Sequence, residues 1–204
     1  MPYFIQGIAV LCLLLLSRIG SAELASVDDM LADRILGDPA APVTILDYSS
    51  MTCPHCASFH NETLPRITEE YIDTGKARLI FRDFPFGVLA KAAAMVSRCV
   101  DKDSYYGFLT VLFRSQDQWS QSKEPALELE RMARFAGLSK ADFEACLSNQ
   151  ALVKGIEENA AKAHEEFGIE STPTFFINGK EITGAAPFDQ FKTAIDEALE
   201  KANQ

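Results

Sequence analysis

Two cysteines separated by two residues, Cys53 and Cys56, form the group in this sequence that is most suited to chemistry. Pro54 follows the first cysteine and is typical of the first position of an α-helix, where its missing N–H costs no hydrogen bond. Cys53 would then cap the helix, where free backbone N–H groups and the helix dipole favour an anion. A thiolate is the form of cysteine that attacks disulfides. The spacing therefore predicts a redox-active pair in which Cys53 attacks and Cys56 is shielded one turn further in.

Other uses of the Cys-x-x-Cys motif are weaker in this chain. A zinc site needs four ligands, usually from two such motifs, and neither a second Cys-x-x-Cys nor a His-x-x-x-His occurs in the sequence. An inert structural disulfide is the remaining alternative. His55, between the two cysteines, can place a cation or a hydrogen-bond donor beside the sulfur, which favours the redox interpretation.

A carboxyl group is predicted beneath the cysteines. Asp47 lies six residues before the first cysteine, in the segment 43–48, whose β-branched and aromatic residues predict a β-strand. Strand alternation places Asp47 on the same face as Val43 and Ile45. Burial disfavours a charged carboxylate, so Asp47 is a candidate proton relay for Cys56. The alternative is a carboxylate at the strand end that simply reaches solvent.

A further strand that bears on the site comes far downstream. Thr172 and Pro173 directly precede the apolar run 174–177, and Asn178 and Gly179 follow it. The first residue of a strand is one of the few sheet positions that tolerate proline. Asn-Gly is typical of a two-residue hairpin turn. The segment therefore predicts a strand that begins at a proline and turns back on itself.

The Cys-x-x-Cys motif, Asp47 before it and Thr172-Pro173 downstream together resemble the DsbA-like branch of the thioredoxin superfamily, which consists of bacterial thiol–disulfide oxidoreductases of the periplasm. The segment 81–85, Phe-Arg-Asp-Phe-Pro, and the long helical tract after it are also similar to this branch. The resemblance extends from about residue 42 to the end of the chain, and the combination is far more specific than Cys-x-x-Cys alone.

The resemblance implies that Cys53 and Cys56 are the catalytic pair, with Pro54 and His55 between them. It also implies that the Thr172–Pro173 peptide bond is cis and that this proline lies against the sulfur atoms, where the backbone of the preceding threonine can pair with an extended peptide. No bound cofactor or metal is expected, because the dithiol itself carries the two electrons.

The implied fold is α/β, a thioredoxin fold with an all-α insertion between the second predicted strand, 77–84, and the cis-proline strand. Helical periodicity without strand signals recurs throughout the insertion. The predicted organisation is a signal peptide 1–22, an N-terminal extension 23–41, a first half 42–86, a helical insertion 87–168 and a second half 169–204.

Shorter patterns predict the remaining elements. One helix is expected over 27–36, before a turn at Gly37, and Pro65 is expected to kink or restart the helix that follows the cysteines. Apolar spacing predicts an amphipathic helix at the C-terminus. Within the insertion, the predicted helices are 89–100, 105–113, 126–135, 140–147 and 152–167.

Cys99 and Cys146 both fall on apolar helix faces within the predicted insertion. We expect them to form a second, structural disulfide, since exported thiols meet the same oxidant as their neighbours. Two separately buried thiols are the alternative. His60 and His164 have no matched partner in the sequence and are expected to be polar residues of the surface or core, although His60 lies one turn beyond Cys56 and could touch the site.

The N-terminus predicts export to the periplasm. An apolar run of about a dozen residues, 5–16, is too short to span a bilayer comfortably, and small residues at 20–22 suit a cleavage site. No basic residue precedes the run, and Arg18 follows it. Cys12 would leave with the cleaved peptide. An uncleaved membrane anchor is the alternative.

Charge and composition restrict the partners. The formal charge of −10 argues against nucleic acid and anionic lipid. We expect a monomer whose partners are unfolded or reduced exported proteins and a membrane redox protein, either a DsbB-like oxidant or a reductase. Stabilisation of the thiolate by His55 and the helix N-terminus favours an oxidase. An isomerase or reductase, and a non-enzymatic binding or chaperone module, remain alternatives; 23–41 is too short for an isomerase dimerisation domain, but a short trimerising helix stays open.

Overall fold

The structure, a computed structural model, describes residues 24–202 and residue 204. The predicted signal peptide, its cleavage site and Cys12 lie outside the described residues. No helix within the described part of the chain is long and apolar enough to cross a membrane.

A mixed β-sheet of five strands, ordered β1-β3-β2-β4-β5, forms the centre of the molecule. Strand β2 pairs in parallel with β3 and antiparallel with β4, so it occupies the middle of the sheet. The C-terminal ends of β2 and β3 therefore meet at one edge, and the cysteine pair follows β2 at this edge. The strands are β1 Ile35–Leu36, β2 Val43–Ser49, β3 Ala77–Asp83, β4 Thr174–Ile177 and β5 Lys180–Thr183.

Helices cover both faces of the sheet, and the segment between β3 and β4 contains helices and no strand, as predicted. The predicted helices of the insertion are confirmed within one to two residues at their ends, and the short helix α6 was not predicted. The α-helices are α1 Val27–Leu31, α2 Pro54–Ser58, α3 Leu64–Ile67, α4 Gly87–Cys99, α5 Tyr105–Arg114, α6 Gln116–Ser120, α7 Pro125–Phe135, α8 Lys140–Ser148, α9 Gln150–Phe167 and α10 Phe188–Ala202.

The helix that follows the cysteines runs from α2 through α3 and contains two turns of π-helix, Phe59–Thr63 and Thr68–Ile72. Pro65 lies at the start of α3, directly after the first π turn, so the predicted restart at this proline is confirmed. A π turn inserts an extra residue into the helical repeat and is frequent at functional sites.

The core packs this helix and α10 against one face of the sheet. Val43, Ile45 and Ile67 have no exposed surface, and Phe191 of α10 is equally buried among them. Helix α9 covers the opposite face, where Ala163 packs near Tyr48 of β2. The alternation predicted for β2 is therefore confirmed, with one face toward the helix of the cysteine pair.

The helix predicted over 27–36 is wrong in its second half. Helix α1 ends at Leu31, and Ile35 and Leu36 form strand β1, which pairs antiparallel with Ile80 and Leu79 of β3. Pairing with β3 satisfies backbone groups that an exposed helix end would leave to water, so the sheet edge overrides the local helical pattern.

The turn after β1 requires glycine. Gly37 has φ +98°, and a Cβ atom there would lie 2.6 Å from Ile72 Cγ2. At the other end of the sheet, Asn178 and Gly179 have φ values of +44° and +91°, which confirms the predicted hairpin turn between β4 and β5.

Candidate active site

The cysteine pair lies where strand β2 passes into helix α2. Cys53 is the N-cap residue of α2 and Pro54 is its first residue, as the sequence predicts. The Cys53 N–H donates to the Ser50 carbonyl at 3.1 Å, and the Cys53 carbonyl accepts from the Ala57 N–H at 3.1 Å. These two bonds close the turn and start the helix, so the sulfur of Cys53 lies among the unpaired N–H groups of the first helical turn.

Cys53 is half-buried and unbonded, and its environment favours the thiolate. Its pKa falls from the ordinary 9.0 to about 5, chiefly because the Cys56 thiol donates a hydrogen bond to the sulfur. Partial burial opposes this change. The Thr172 side chain and the backbone N–H groups of Cys56 and His55 lower the pKa further. Cys53 is therefore largely ionised at neutral pH.

Cys56 is fully buried, and its pKa is raised far above that of an ordinary thiol, first by burial and then by its hydrogen bond to Cys53. The Ser49 hydroxyl and the Ser50 N–H, 3.5 Å from the sulfur, partly oppose this rise. Cys56 therefore keeps its proton at neutral pH. The two cysteines differ in the way that an attacking and a resolving thiol must differ.

His55 and Pro54 both face solvent. In the structure, His55 lowers the pKa of Cys53 through its backbone N–H, which lies within the first turn of α2. A donor at this position is present whatever the side chain, because it belongs to the helix terminus.

Asp47 lies on the inner face of β2 and has no exposed surface. Its carboxylate accepts a hydrogen bond from the Ser49 hydroxyl through Oδ1, and its Oδ2 lies 2.8 Å from His60 Nε2. The alternative of a carboxylate at the strand end that reaches solvent is therefore wrong. His60 is a core residue that touches the site, and the sequence offered only its spacing from Cys56 as a signal.

Thr172 and Pro173 approach the cysteines from β4, the strand that pairs directly with β2. The Cys53 sulfur lies 3.3 Å from the Thr172 carbonyl oxygen, and the Thr172–Pro173 peptide bond is cis. Pro173 is buried directly before β4, whereas Thr172 remains partly exposed beside the sulfur. The structure thus brings together residues that are 119 positions apart in the chain.

Gln116 is a further residue of the site that the sequence did not predict. It is buried at the start of α6, and its side-chain amide donates to the Met51 carbonyl at 2.9 Å and to the Cys53 carbonyl at 3.0 Å. The helical insertion therefore holds the turn that carries the attacking cysteine. No local pattern marks Gln116, because its partners lie more than 60 residues away.

The second cysteine pair lies within the helical part of the molecule. Cys99 at the end of α4 and Cys146 of α8 are joined by a disulfide with an S–S distance of 2.01 Å. Both pack in an apolar cluster that includes Met30, Leu152 and Ile156. Two free buried thiols, the alternative interpretation, do not occur here.

The arrangement at Cys53 and Cys56 can perform thiol–disulfide exchange. An ionised, partly exposed sulfur can attack a disulfide, and a buried, protonated sulfur beside it can displace the partner once its proton is removed. Among the described residues there is no cluster of three or more His, Cys, Asp or Glu side chains that could hold a metal ion.

Comparisons with known proteins identify relatives of the chain as a whole. A family model described as Thioredoxin matches residues 29–197. A Rickettsia conorii protein that is named a protein-disulfide oxidoreductase is 33% identical over 182 residues, which cover 87% of this chain and 64% of that relative. The chain thus spans slightly less than two thirds of the relative's length.

Two further similarities concern a curated protein and a solved structure. Disulfide bond formation protein D of Bacillus subtilis is 27% identical over 170 residues, or 81% of this chain and 76% of the relative. The crystal structure of alpha-DsbA1 from Wolbachia pipientis is 34% identical and covers 83% of this chain and 92% of its own, with a TM-score of 0.78.

Proposed function

This chain belongs to the thioredoxin family, in its DsbA-like branch, and from that premise we propose that it is an exported protein thiol–disulfide oxidoreductase that acts as an oxidase. The observation that carries the direction is the lowered pKa of Cys53, about 5. A stabilised thiolate lowers the free energy of the reduced protein, and the disulfide form is then the stronger oxidant.

The reaction begins with the oxidised protein, in which Cys53 and Cys56 form a disulfide. A thiolate of the substrate attacks the Cys53 sulfur, forms a mixed disulfide with it and releases Cys56, which takes up a proton. A second thiolate of the substrate then attacks the substrate sulfur of the mixed disulfide. This step forms the substrate's disulfide and releases Cys53 as a thiolate, so two electrons pass from the substrate to the protein.

The remaining predicted site residues take supporting roles in this proposal. The Thr172 backbone, next to the Cys53 sulfur, pairs with an extended segment of the substrate, and Pro173 forms the adjacent wall of the groove. Asp47 supplies and removes the proton of Cys56. His55 contributes its backbone N–H to the Cys53 thiolate.

The proposed partners follow from the same chemistry. The substrates are reduced or unfolded exported proteins, and a membrane redox protein reoxidises the dithiol after each turnover. The proposed location is the periplasm, reached through cleavage of the predicted signal peptide 1–22. The formal net charge of −10 offers no attraction for nucleic acid.

Equilibration with glutathione tests the proposed direction. The purified protein is incubated with mixtures of reduced and oxidised glutathione, and the fraction carrying the Cys53–Cys56 disulfide is counted by mass spectrometry after acid quenching. We expect the pair to be more oxidising than glutathione, and the oxidised protein to form disulfides in a reduced, unfolded substrate stoichiometrically. The variant Cys53→Ser is the control and should form none.

A pair more reducing than glutathione would contradict the oxidase and favour an isomerase or reductase. Absence of exchange at Cys53 in either direction would overturn both enzymatic interpretations and leave a binding module.

A further inference from the structure

A chain of hydrogen-bonded side chains lies in the core beside the buried cysteine. Ser49 donates to Asp47 Oδ1, and Asp47 Oδ2 lies 2.8 Å from His60 Nε2. The exposed fractions of Ser49, Asp47 and His60 are 1%, 0% and 8%. The three side chains therefore form one polar path inside the core.

Ser49 connects this path to the reacting sulfur. Ser49 directly precedes Ser50, whose N–H donates to the Cys56 sulfur at 3.5 Å, and the Ser49 hydroxyl acts on the same thiol by lowering its pKa. A hydroxyl has one proton to donate and two lone pairs to accept with. In a mixed disulfide, Cys53 is no longer a thiolate that takes the Cys56 hydrogen bond. Ser49 can then donate to Asp47 and accept from the Cys56 thiol, so protons can move in sequence along the path.

His60 is held at the end of the path by its surroundings. It lies four residues after Cys56 on the same helix, and its ring stacks on Phe113 of α5 with a centroid distance of 4.0 Å and an angle of 16°. Phe59 and Phe81 contact it edge-on. These three aromatic rings fix the orientation of the imidazole ring so that its Nε2 points at Asp47.

Asp47 depends on His60 because a buried carboxylate is costly without charged or donating partners. Among the described residues, His60 is the one basic side chain that lies within 4 Å of the Asp47 carboxylate. No lysine or arginine in this part of the chain forms an ion pair with Asp47. The His60 bond also fixes which oxygen of Asp47 faces Ser49 and which faces away.

We propose that His60 is a positioning residue of the redox reaction, which holds Asp47 so that its Oδ1 exchanges the Cys56 proton through Ser49. The proposal rests on the proposed thiol–disulfide exchange and deepens it. His60 does not touch the sulfur, so its effect is confined to the step in which Cys56 gains or loses a proton.

The step is balanced in the direction that closes the ring. In a mixed disulfide of Cys53 with a partner, the Cys56 proton passes to Ser49 Oγ while the proton of Ser49 passes to Asp47 Oδ1. The Cys56 thiolate attacks the Cys53 sulfur and forms the Cys53–Cys56 bond. The bond from Cys53 to the partner breaks, and the partner leaves as a thiolate that takes a proton from water. The dithiol is oxidised and the partner's sulfur is reduced.

The reaction of the reduced protein with oxidised glutathione separates this step from the preceding one. In the first phase Cys53 attacks and releases one glutathione, and in the second Cys56 releases the other. Rapid acid quenching and mass spectrometry give both rates from the amounts of mixed disulfide and ring disulfide.

We expect His60→Phe, which keeps an aromatic ring against Phe113 but has no donor, to slow the second phase about tenfold or more, as loss of an acid–base function does. The first phase should be unchanged. His60→Gln retains a donor of similar reach and should restore the second phase to within about threefold of the wild-type rate. The matched control is His164→Gln, because His164 is an exposed histidine of α9, and it should alter neither phase.

A double-variant cycle with Ser49→Ala distinguishes positioning from general support of the structure. If His60 acts through Asp47 and Ser49, His60→Phe should add little to the slowing caused by Ser49→Ala, because the path is already broken. The proposal is overturned if the slowing of the second phase in the double variant equals the product of the slowing in the two single variants. It is also overturned if the second phase of His60→Gln is as slow as that of His60→Phe, or if neither His60 variant slows this phase.

If His60→Phe does not fold, His60→Met takes its place, since methionine fills irregular space and also lacks a donor. If neither the His60→Phe nor the His60→Met variant folds, His60 is a structural residue and the proposal is overturned. A wild-type protein whose Cys53 does not react with oxidised glutathione would overturn the proposed function as well. If the wild type and the His60 variants complete both phases at the same rates, only the proposed role of His60 is overturned.

Discussion

The two cysteine pairs of this molecule have the same side chains and different surroundings. Cys53 lies at a helix N-terminus with backbone donors around its sulfur, and its pKa falls to about 5. Cys99 and Cys146 lie among apolar side chains of the helical insertion and are bonded to each other. The first pair has donors that stabilise a thiolate, and the second has mainly apolar contacts that would destabilise one.

The position of a cysteine relative to backbone N–H groups therefore decides its reactivity in this molecule. Cys53 and Cys56 lie in one helical turn, so the ring that they can close is small, and the sulfur of its first cysteine is partly exposed. The pair 99–146 joins helices that are 47 residues apart and constrains the unfolded chain instead. One pair is suited to repeated opening and the other to staying closed.

The largest expected difference is in reactivity. After full reduction, iodoacetamide at pH 6 should label Cys53 first and Cys56 far more slowly, because only the first is largely ionised there. Cys53→Ser should abolish oxidase activity, whereas Cys99→Ser combined with Cys146→Ser should retain it. Mass mapping of labelled peptides and a substrate-oxidation assay measure these outcomes. Equal labelling of Cys53 and Cys56 would contradict the assignment of roles.

The second difference is in stability. The variant with Cys99→Ser and Cys146→Ser should lose about 2–5 kcal/mol of unfolding free energy, as native disulfides that close loops of this kind contribute. Denaturant unfolding of the oxidised protein and of this variant gives the value. Reduction of Cys53 and Cys56 alone is the comparison, and it should not lower the stability, because the thiolate stabilises the reduced form. A loss of similar size in both cases would remove the distinction between the pairs.

The third difference is in the dependence on pH. The pKa of Cys53 is lower in the folded reduced protein than in the unfolded chain, so its contribution to stability is present above the unfolded value, 9.0, and is lost as the pH falls through about 5. The raised pKa of Cys56 destabilises the folded reduced protein only above 9.0, the pKa of the thiol in the unfolded chain.

Between pH 5 and 8, the melting temperature of the reduced protein should therefore rise relative to that of the oxidised protein, by a few degrees. Other titrating groups are common to both forms and cancel in the difference. Scanning calorimetry on both forms measures it. The Cys53→Ser variant, which cannot form the thiolate, should show no such rise relative to the oxidised wild-type protein. A constant difference across this range would contradict the lowered pKa.

The smallest expected effect concerns the contact between the insertion and the reactive pair. Gln116→Leu should cost about 1–2 kcal/mol of stability, since the carbonyls of Met51 and Cys53 lose a buried donor. It should also raise the pH at which Cys53 is half labelled, because the turn that places the sulfur is held less firmly. Gln118→Leu, at an exposed position of α6, is the matched control. An identical labelling profile in both variants would show that the turn holds its own shape.

Much of the site could be predicted from the sequence because its parts are local. Pro54 at the helix start, the strand before Cys53 and the Asn178–Gly179 turn each depend on neighbours within a few residues, and local patterns describe such contacts well. The inward face of Asp47 follows from strand alternation in the same way. The resemblance to a known family then supplied the association of Pro173 with the cysteines.

Contacts between residues that are distant in the chain depend on how the elements dock in three dimensions. His60 is 13 residues from Asp47, and Gln116 is more than 60 residues from the turn it holds, so neither contact follows from periodicity. The same holds for Ile35 and Leu36, which the local pattern assigned to a helix and the edge of β3 draws into the sheet. A chain encodes such contacts through the docking of whole elements, in which the burial of many side chains outweighs the preference of any short segment.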